Sequence, residues 1–194
     1  IKKEQWTPTP LLSADVIGDF LGINLWFKRE DCTPVGSFKL RGATVALERL
    51  KSEIDTSGIW VASAGNFGLA IAVAGKQRGI DVSVVVPENA TPIKMDRIKL
   101  AGATVVKYGK DFDESKDYAR LKASELGSSF WEDGNISELA DGASTIALEI
   151  LAKSSSWDCV LVPVGNGSLI KGIANVFKAR SPATQIIGLV ASGA

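Results

Sequence analysis

The group with the clearest chemical potential in this sequence is the ε-amine of Lys39. A strand-like stretch, residues 25–27, leads into a turn rich in Pro and Gly and then into a helix opened by Ser37. Lys39 therefore lies in a first helical turn, where the positive end of the helix dipole disfavours an ammonium group. An uncharged lysine amine can form a Schiff base with a carbonyl compound. Ser-Phe-Lys alone is also typical of a solvated lysine at a helix start. The surrounding residues are therefore needed to distinguish a reactive amine from a solvated one.

A glycine-rich loop, residues 165–168, follows an apolar strand and precedes a helix that begins near Leu169. Such a loop presents several backbone N–H groups in a concavity, and the helix dipole favours an anion there. Gly167 suits this role because a side chain at that position could block close approach of the backbone. The pattern is compatible with a phosphate site, while Lys171 is interpreted as a solvated helix residue.

A second strand-to-helix loop, residues 63–66, has the sequence Ser-Ala-Gly-Asn. The free N–H groups at the start of the following helix suit a carboxylate. The alternative is an ordinary turn in which Ser63 or Asn66 caps the helix. Taken alone, the residues favour the capped turn.

The composition excludes several classes of chemistry. The 194 residues include 22 basic and 22 acidic side chains and no histidine. Without histidine, Ser-His-Asp and Cys-His machinery is excluded, and a zinc site would lack its commonest ligand. A formal net charge of zero argues against nucleic acid or an anionic membrane surface as a partner. Lysine, tyrosine, a carboxylate or a cofactor must therefore carry any acid-base chemistry.

The two cysteines, Cys32 and Cys159, do not suggest a disulfide framework and fit a reducing compartment. A reactive thiol at Cys32 is conceivable, but small core or turn residues are the favoured interpretation of both. Apolar runs such as residues 69–74 are far too short to span a bilayer.

Apolar runs alternate with helical patterns almost from end to end, which is typical of an α/β chain with parallel sheets. Most of the runs are continuous, as expected for strands covered on both faces. The predicted strands are residues 25–27, 59–62, 82–86, 104–106, 129–131, 159–164 and 186–190. The predicted helices are residues 38–51, 67–78, 93–100, 114–126, 137–152 and 169–179.

Three of these segments together resemble one family. The run of residues 28–43 resembles the lysine segment of the fold-type II pyridoxal-phosphate enzymes, in the form seen in serine/threonine dehydratases. The loop at 165–168 resembles their four-glycine phosphate loop, with Asn166 and Ser168 in place of two glycines. The loop at 63–68 resembles their substrate loop, with Phe67 where many dehydratases have histidine. Residues 140–149 more weakly resemble a Gly-x-x-Thr stretch of the same family.

The resemblance implies a tryptophan synthase β-like fold with three-layer, parallel-sheet domains. In that fold a small domain, here residues 54–133, is inserted into a larger cofactor domain formed by residues 1–53 and 134–194. The family's partner for the ring nitrogen usually comes from near the C-terminal end of a longer chain. The second segment of the large domain is therefore expected to be incomplete.

The resemblance also implies the roles of individual residues. Lys39 would bind pyridoxal 5'-phosphate covalently and act as the catalytic base, and Phe38 would pack on the cofactor ring unless it is a core residue. The phosphate would be held by Gly165, Asn166, Gly167, Ser168 and Leu169. The substrate carboxylate would be held by Ser63, Ala64, Gly65 and Asn66, and Asn66 would also contact the ring oxygen.

The expected activity is that of a lyase that removes water and ammonia from L-threonine or L-serine and leaves a 2-keto acid. Two alternatives stay open: a threonine synthase acting on O-phosphohomoserine, which the Gly-Asn-Gly string favours, and a truncated relative that binds the cofactor without turnover. The expected partner is a small amino acid, with no nucleic acid, membrane or metal. Fold relatives imply a homo-oligomer, a dimer or tetramer, in the cytoplasm.

Overall fold

A computed structural model describes residues 8–54 and 57–193, and the chain divides into two compact units. Unit 1 is formed by residues 1–38 and 143–194, and unit 2 by residues 39–142. The sequence predicts domain boundaries at 53/54 and 133/134, so both unit boundaries lie outside the predicted small domain. The assignment of a small and a large cofactor domain stays a prediction.

Strands and helices alternate along the described chain, as predicted. The strands are β1 (Leu11–Ser13), β2 (Trp26–Lys28), β3 (Ile59–Ala62), β4 (Val82–Val86), β5 (Thr104–Lys107), β6 (Ser129–Trp131), β7 (Cys159–Pro163) and β8 (Gln185–Leu189). The helices are α1 (Asp15–Leu21), α2 (Lys39–Arg49), α3 (Asn66–Lys76), α4 (Pro92–Leu100), α5 (Phe112–Leu126), α6 (Ser137–Lys153) and α7 (Ser168–Arg180). Short 3-10 helices cover Glu30–Cys32 and Lys51–Glu53.

Unit 2 is built on a four-stranded parallel sheet with the strand order β5-β4-β3-β6. The continuous apolar runs predicted to be covered strands are buried: Val61, Val84, Val85 and Val86 have no exposed surface. Parallel pairing requires a crossover after each strand, and α3, α4 and α5 provide the three crossovers. The last strand, β6, pairs with the first strand of this sheet, β3.

Helix α3 lies close to its sheet because it carries glycines where it meets β4. A Cβ at Gly75 would come within 2.5 Å of a Val82 methyl group, and one at Gly68 within 2.7 Å of the Ser63 carbonyl oxygen. Eight of its eleven residues are buried. This close packing fixes the helix whose first residue is Asn66.

Unit 1 contains two small sheets. Strands β1 and β2 pair antiparallel, and β7 and β8 pair parallel. A core cluster joins α6, β7 and α7 through Ile146, Ile150, Val162, Ile173 and Phe177.

The structure of unit 1 differs from the sequence analysis in three respects. Residues 25–27 were predicted as one of a set of mostly parallel strands, but β2 pairs antiparallel with β1. Neither β1 nor α1 was predicted, since one has three residues and the other is a seven-residue helix with a central Gly18. The core interpretation of the cysteines also fails, because Cys32 and Cys159 are both exposed, although Cys32 does lie in a turn.

Candidate functional site

Lys39 is the first residue of α2 in unit 2, as the sequence predicts to within a residue. The approach to this helix in unit 1 is fixed by Thr33, whose hydroxyl accepts the Ser37 N–H at 2.9 Å and donates to the Ser37 carbonyl at 2.8 Å. Gly36 makes the turn possible with a φ of 70°.

The amine of Lys39 binds both oxygens of the Asp133 carboxylate. The Nζ–Oδ1 distance is 2.8 Å and the Nζ–Oδ2 distance is 2.7 Å. The Lys39 side chain is 16% exposed and that of Asp133 is 29% exposed, so the pair is largely withdrawn from solvent. This charge-assisted contact fixes where the amine lies.

Asp133 places the amine at the carboxyl edge of the four-stranded sheet. Asp133 follows the end of β6 by two residues, and the loop at 63–66 begins directly after β3. Strands β3 and β6 are parallel neighbours in register, with Val61 opposite Trp131. Neighbouring strands lie about 4.8 Å apart, so their carboxyl ends are adjacent. In open α/β sheets this edge is the usual place for ligands.

The loop at 63–66 is accessible to solvent at its second half. Gly65 and Asn66 are exposed, and Ser63 and Ala64 are half-buried. The alternative of a side-chain cap does not describe this turn: Gly65 occupies the N-cap position of α3 without a side-chain hydrogen bond. The Ser63 hydroxyl accepts the Gly65 N–H at 3.2 Å, one residue before the helix begins. The first turn of α3 is therefore not capped by Ser63.

The loop at 165–168 has the predicted strand-to-helix form in unit 1. It leaves β7, and its Gly167 adopts a φ of 88° before α7, a helix of thirteen residues. A Cβ at Gly165 or at Gly167 would meet no heavy atom within 4 Å, so the space over both glycines is open. The Asn166 side-chain oxygen accepts the Ser168 N–H at 3.2 Å. Ser168 is buried, and Leu169 packs against the core cluster.

The remaining predicted site residue, Phe38, is half-buried and packs against the core cluster of α6, β7 and α7. This contact agrees with the core interpretation, and its contact with a cofactor ring stays a prediction. In the stretch at 140–149, a Cβ at Gly142 would lie 2.4 Å from the Arg41 carbonyl oxygen, so α6 and α2 touch at their backbones. Glu149 accepts a hydrogen bond from Lys28 in unit 1.

A concavity of about 1140 Å³ lies away from these loops. It lies in unit 1 and is lined mainly by apolar residues such as Trp26 and Trp157. Its charged lining groups are Asp19, Lys28 and Asp158, and Lys28 is already paired with Glu149. Because two of these side chains are acidic and the lysine is already paired, the concavity is unsuited to a phosphate or a carboxylate.

The structure thus brings Lys39 and the loop at 63–66 to one sheet edge within unit 2, and it forms the loop at 165–169 within unit 1. The sequence did not identify Asp133 as a site residue, because its position near the lysine depends on the order of the strands. Within residues 8–54 and 57–193, no three Asp, Glu, Cys or His side chains are grouped as metal ligands. No helix of that part of the chain is long and apolar enough to cross a membrane.

The sequence model of the family described as pyridoxal-phosphate dependent enzyme matches residues 2–194. The chain belongs to this family. Its α/β fold with parallel sheets is the fold-type II architecture that the sequence predicts.

Curated relatives include a chloroplastic biosynthetic threonine dehydratase 1 from Solanum lycopersicum, 37% identical over 93% of this chain and 30% of the relative. A catabolic L-threonine dehydratase from Staphylococcus aureus is 39% identical over 93% of this chain and 53% of its own length. The chain therefore spans about a third to a half of the length of these relatives.

Solved structures are similar to this chain over almost its whole length. The processed form of threonine deaminase isoform 2 from Solanum lycopersicum superposes with a TM-score of 0.91 at 36% identity, covering 95% of this chain and 51% of that one. Maize serine racemase superposes with a TM-score of 0.89 at 30% identity, covering 94% of this chain and 55% of that one.

The residues present fit the family's cofactor. Pyridoxal phosphate needs an amine for its aldehyde and backbone N–H groups for its phosphate. Lys39 offers the amine at the carboxyl edge of the sheet, and the open glycines at 165 and 167 leave room at the start of α7. The structure thus contains groups of the type needed for both ends of the cofactor.

Proposed function

We propose that the chain carries the lysine, the substrate loop and the phosphate loop of a pyridoxal-phosphate-dependent ammonia-lyase of the threonine/serine dehydratase kind. The observation that carries the proposal is the position of the Lys39 amine, which Asp133 holds at the strand ends from which the loop at 63–66 leaves. The threonine dehydratase relatives support the choice of reaction.

In this proposal each loop has one task. Gly165, Asn166, Gly167, Ser168 and Leu169 bind the phosphate through backbone N–H groups and the Ser168 hydroxyl. Ser63, Ala64, Gly65 and Asn66 bind the substrate carboxylate, and Asn66 also contacts the ring oxygen. Phe38 lies beside the ring.

Lys39 has two tasks: its amine holds the cofactor covalently, and once displaced by the substrate amine it takes the proton from the α-carbon. When bound, the cofactor supplies the electron sink that makes this proton removable. The β-hydroxyl leaves as water, one water molecule is taken up when the resulting imine is hydrolysed, and the net products are a 2-keto acid and ammonia. The loops orient the α-C–H bond toward the amine, which is a contribution of positioning.

The experiment compares the wild-type chain with the variants Lys39→Ala and Lys171→Ala. Lys171 is an exposed residue of α7 that the proposal leaves without a role, so it is a matched control. We expect the visible absorbance of bound pyridoxal phosphate and keto-acid formation to be lost together in Lys39→Ala and kept in Lys171→Ala. Retention of both signals in Lys39→Ala contradicts the proposal.

A substrate panel separates the alternatives. Keto acid from threonine or serine supports the dehydratase. Phosphate release from O-phosphohomoserine without keto acid supports a threonine synthase, which the Gly165-Asn166-Gly167 string favours. A visible band that does not change with any of the three substrates supports a relative that binds without turnover.

We further propose that the protein is a cytoplasmic homo-oligomer, a dimer or tetramer. Its two free cysteines suit a reducing compartment. Light scattering of the purified protein tests the oligomeric state, and a monomeric mass at working concentration contradicts it.

A further inference from the structure

We propose that Asn166 and Gly167 form a self-modification site, at which the side-chain amide of Asn166 is lost as ammonia and a carboxylate takes its place. The modification itself follows from the chemistry of the loop at 165–168. Its consequence, a loss of affinity for the phosphate of pyridoxal phosphate, rests on the proposed function of that loop.

The sequence singles out Asn166, because it is the one asparagine in these 194 residues that a glycine follows. The other five precede Leu, Phe, Ala, Ile or Val, whose side chains hinder approach to the next backbone nitrogen. Gly167 has no side chain, and its φ of 88° lies in the left-handed region that glycine reaches at little cost. Its nitrogen is therefore the least hindered backbone nucleophile next to an asparagine amide in this sequence.

The loop also holds the Asn166 amide in an activated arrangement. Its Oδ1 accepts the Ser168 N–H at 3.2 Å, so the side chain bends back along the main chain past Gly167. Ser168 is the first residue of α7, a helix of thirteen residues, so this N–H belongs to the positive end of the helix dipole. Such a donor stabilises the negative charge that develops on Oδ1 when a nucleophile attacks Cγ, as in an oxyanion hole.

The reaction is a cyclisation followed by a hydrolysis. The Gly167 nitrogen bonds to Cγ of Asn166, its proton passes through solvent to the side-chain nitrogen, and the Cγ–Nδ2 bond breaks to release ammonia. Water then opens the cyclic imide at either of its carbonyl carbons. The products carry a carboxylate at position 166, with the main chain either unchanged or rerouted through the former side-chain carbon.

The surroundings of the loop permit both steps. Asn166 is exposed, so water reaches the imide. A Cβ at Gly165 or at Gly167 would meet no heavy atom within 4 Å, so the ring has room to form. The whole reaction takes up one water molecule and releases one ammonia molecule, and it needs no oxidant or reductant.

The carboxylate changes the charge of the loop from neutral to negative. The proposed function places the cofactor phosphate at this loop and at the start of α7. A carboxylate there accepts the Ser168 N–H more strongly than the amide does, because the hydrogen bond becomes charge-assisted. It also repels a phosphate dianion. The age of the polypeptide thus sets the fraction of chains that keep a competent phosphate site.

The first test measures the rate of modification in the purified cofactor-free chain at neutral pH. Peptide mass spectrometry follows the replacement of the amide by a carboxylate at Asn166 and at Asn89, an exposed asparagine followed by Ala90. We expect Asn166 to react at least about tenfold faster, which corresponds to a barrier lower by about 1.4 kcal/mol. Gly167→Ala should slow the reaction at Asn166 toward the Asn89 rate.

The second test measures binding. Asn166→Asp introduces the same carboxylate by mutation, and Asn89→Asp is the matched control with the same change of charge. Fluorescence titration gives the dissociation constants of pyridoxal phosphate and of pyridoxal, which lacks the phosphate. We expect Asn166→Asp to weaken the binding of pyridoxal phosphate about tenfold and to leave that of pyridoxal unchanged. Both constants should stay at the wild-type values in Asn89→Asp.

Should Asn166→Asp fail to fold, the aged wild-type chain that carries the carboxylate is separated from the unmodified chain by ion exchange and titrated instead. Equal rates at Asn166 and Asn89 in the wild type overturn the modification site, as does an unchanged rate in a folded Gly167→Ala variant.

The titrations also separate this inference from the proposed function. If the wild type binds pyridoxal phosphate more tightly than pyridoxal and Asn166→Asp binds it equally tightly, the consequence for the phosphate is overturned and the proposed function stands. Equal binding of the two compounds by the wild type instead refutes the phosphate loop of the proposed function, whereas the rate at Asn166 decides the modification site.

Discussion

The substitution Gly142→Ala tests the contact between α2 and α6 that supports the start of the lysine helix. A Cβ at Gly142 would lie 2.4 Å from the Arg41 carbonyl oxygen and 2.5 Å from the Gly42 Cα. Both are backbone atoms, so no side chain can rotate away. To reach an ordinary contact of 3.4 Å, the two helices must separate by about 1 Å.

The cost can be worked out from this separation. Overpacking of this kind costs about 1–3 kcal/mol, and the rigid backbone contact favours the upper end. Alanine in a helix recovers about 1 kcal/mol relative to glycine. We therefore expect Gly142→Ala to lower the free energy of unfolding by about 2 kcal/mol. Because Arg41 lies only two residues from Lys39, we also expect weaker binding of pyridoxal phosphate.

Urea unfolding followed by far-ultraviolet circular dichroism measures the stability change. Gly165→Ala is the matched control, since its Cβ would meet no heavy atom within 4 Å. Its stability should change by no more than about 0.5 kcal/mol. A Gly142→Ala variant at least as stable as the wild type would refute the argument from backbone contact.

Two further outcomes are expected. Glu149→Gln should destabilise the chain by about 2 kcal/mol in urea unfolding, because it leaves the Lys28 ammonium without its counter-charge, and the Lys28 side chain is only 10% exposed. An unchanged unfolding midpoint would contradict a structural role for this pair. The hydrogen bonds from Arg29 lower the pKa of the Asp31 carboxyl, so any stabilisation from this contact is present at neutral pH and lost as pH falls through that pKa. A carbon-13 NMR titration should place the Asp31 midpoint below the ordinary aspartate range and return it toward that range in Arg29→Ala, whereas equal midpoints in both proteins would count against the contact.

The elements that the sequence predicts well are those whose signal is local. The continuous apolar run of β4 (Val82–Val86) has the observed bounds, and Pro92 occupies the first turn of α4 as expected. Gly127 ends α5 with a φ of 64°, the conformation for which glycine is favoured. In each case a few neighbouring residues determine where the strand or helix begins or ends.

The features that escaped prediction depend on pairing or on distant residues. Helix α1 leaves Val16 and Phe20 more than four-fifths exposed, so no amphipathic pattern marks it. The partner of Lys39 follows β6, and no local pattern shows that β6 lies beside β3. The lysine itself was predicted from its own segment, whereas Asp133 could be found only through the strand order.

The backbone contact at Gly142 has a consequence for the modularity of the chain. Residues 39–142 leave and rejoin the rest of the polypeptide at points that touch, since Gly142 lies against Arg41 and Gly42. Closely spaced chain ends are the reason why domain insertion is tolerated in many folds. The ends of residues 39–142 meet this condition, and the lysine is the first residue of the segment.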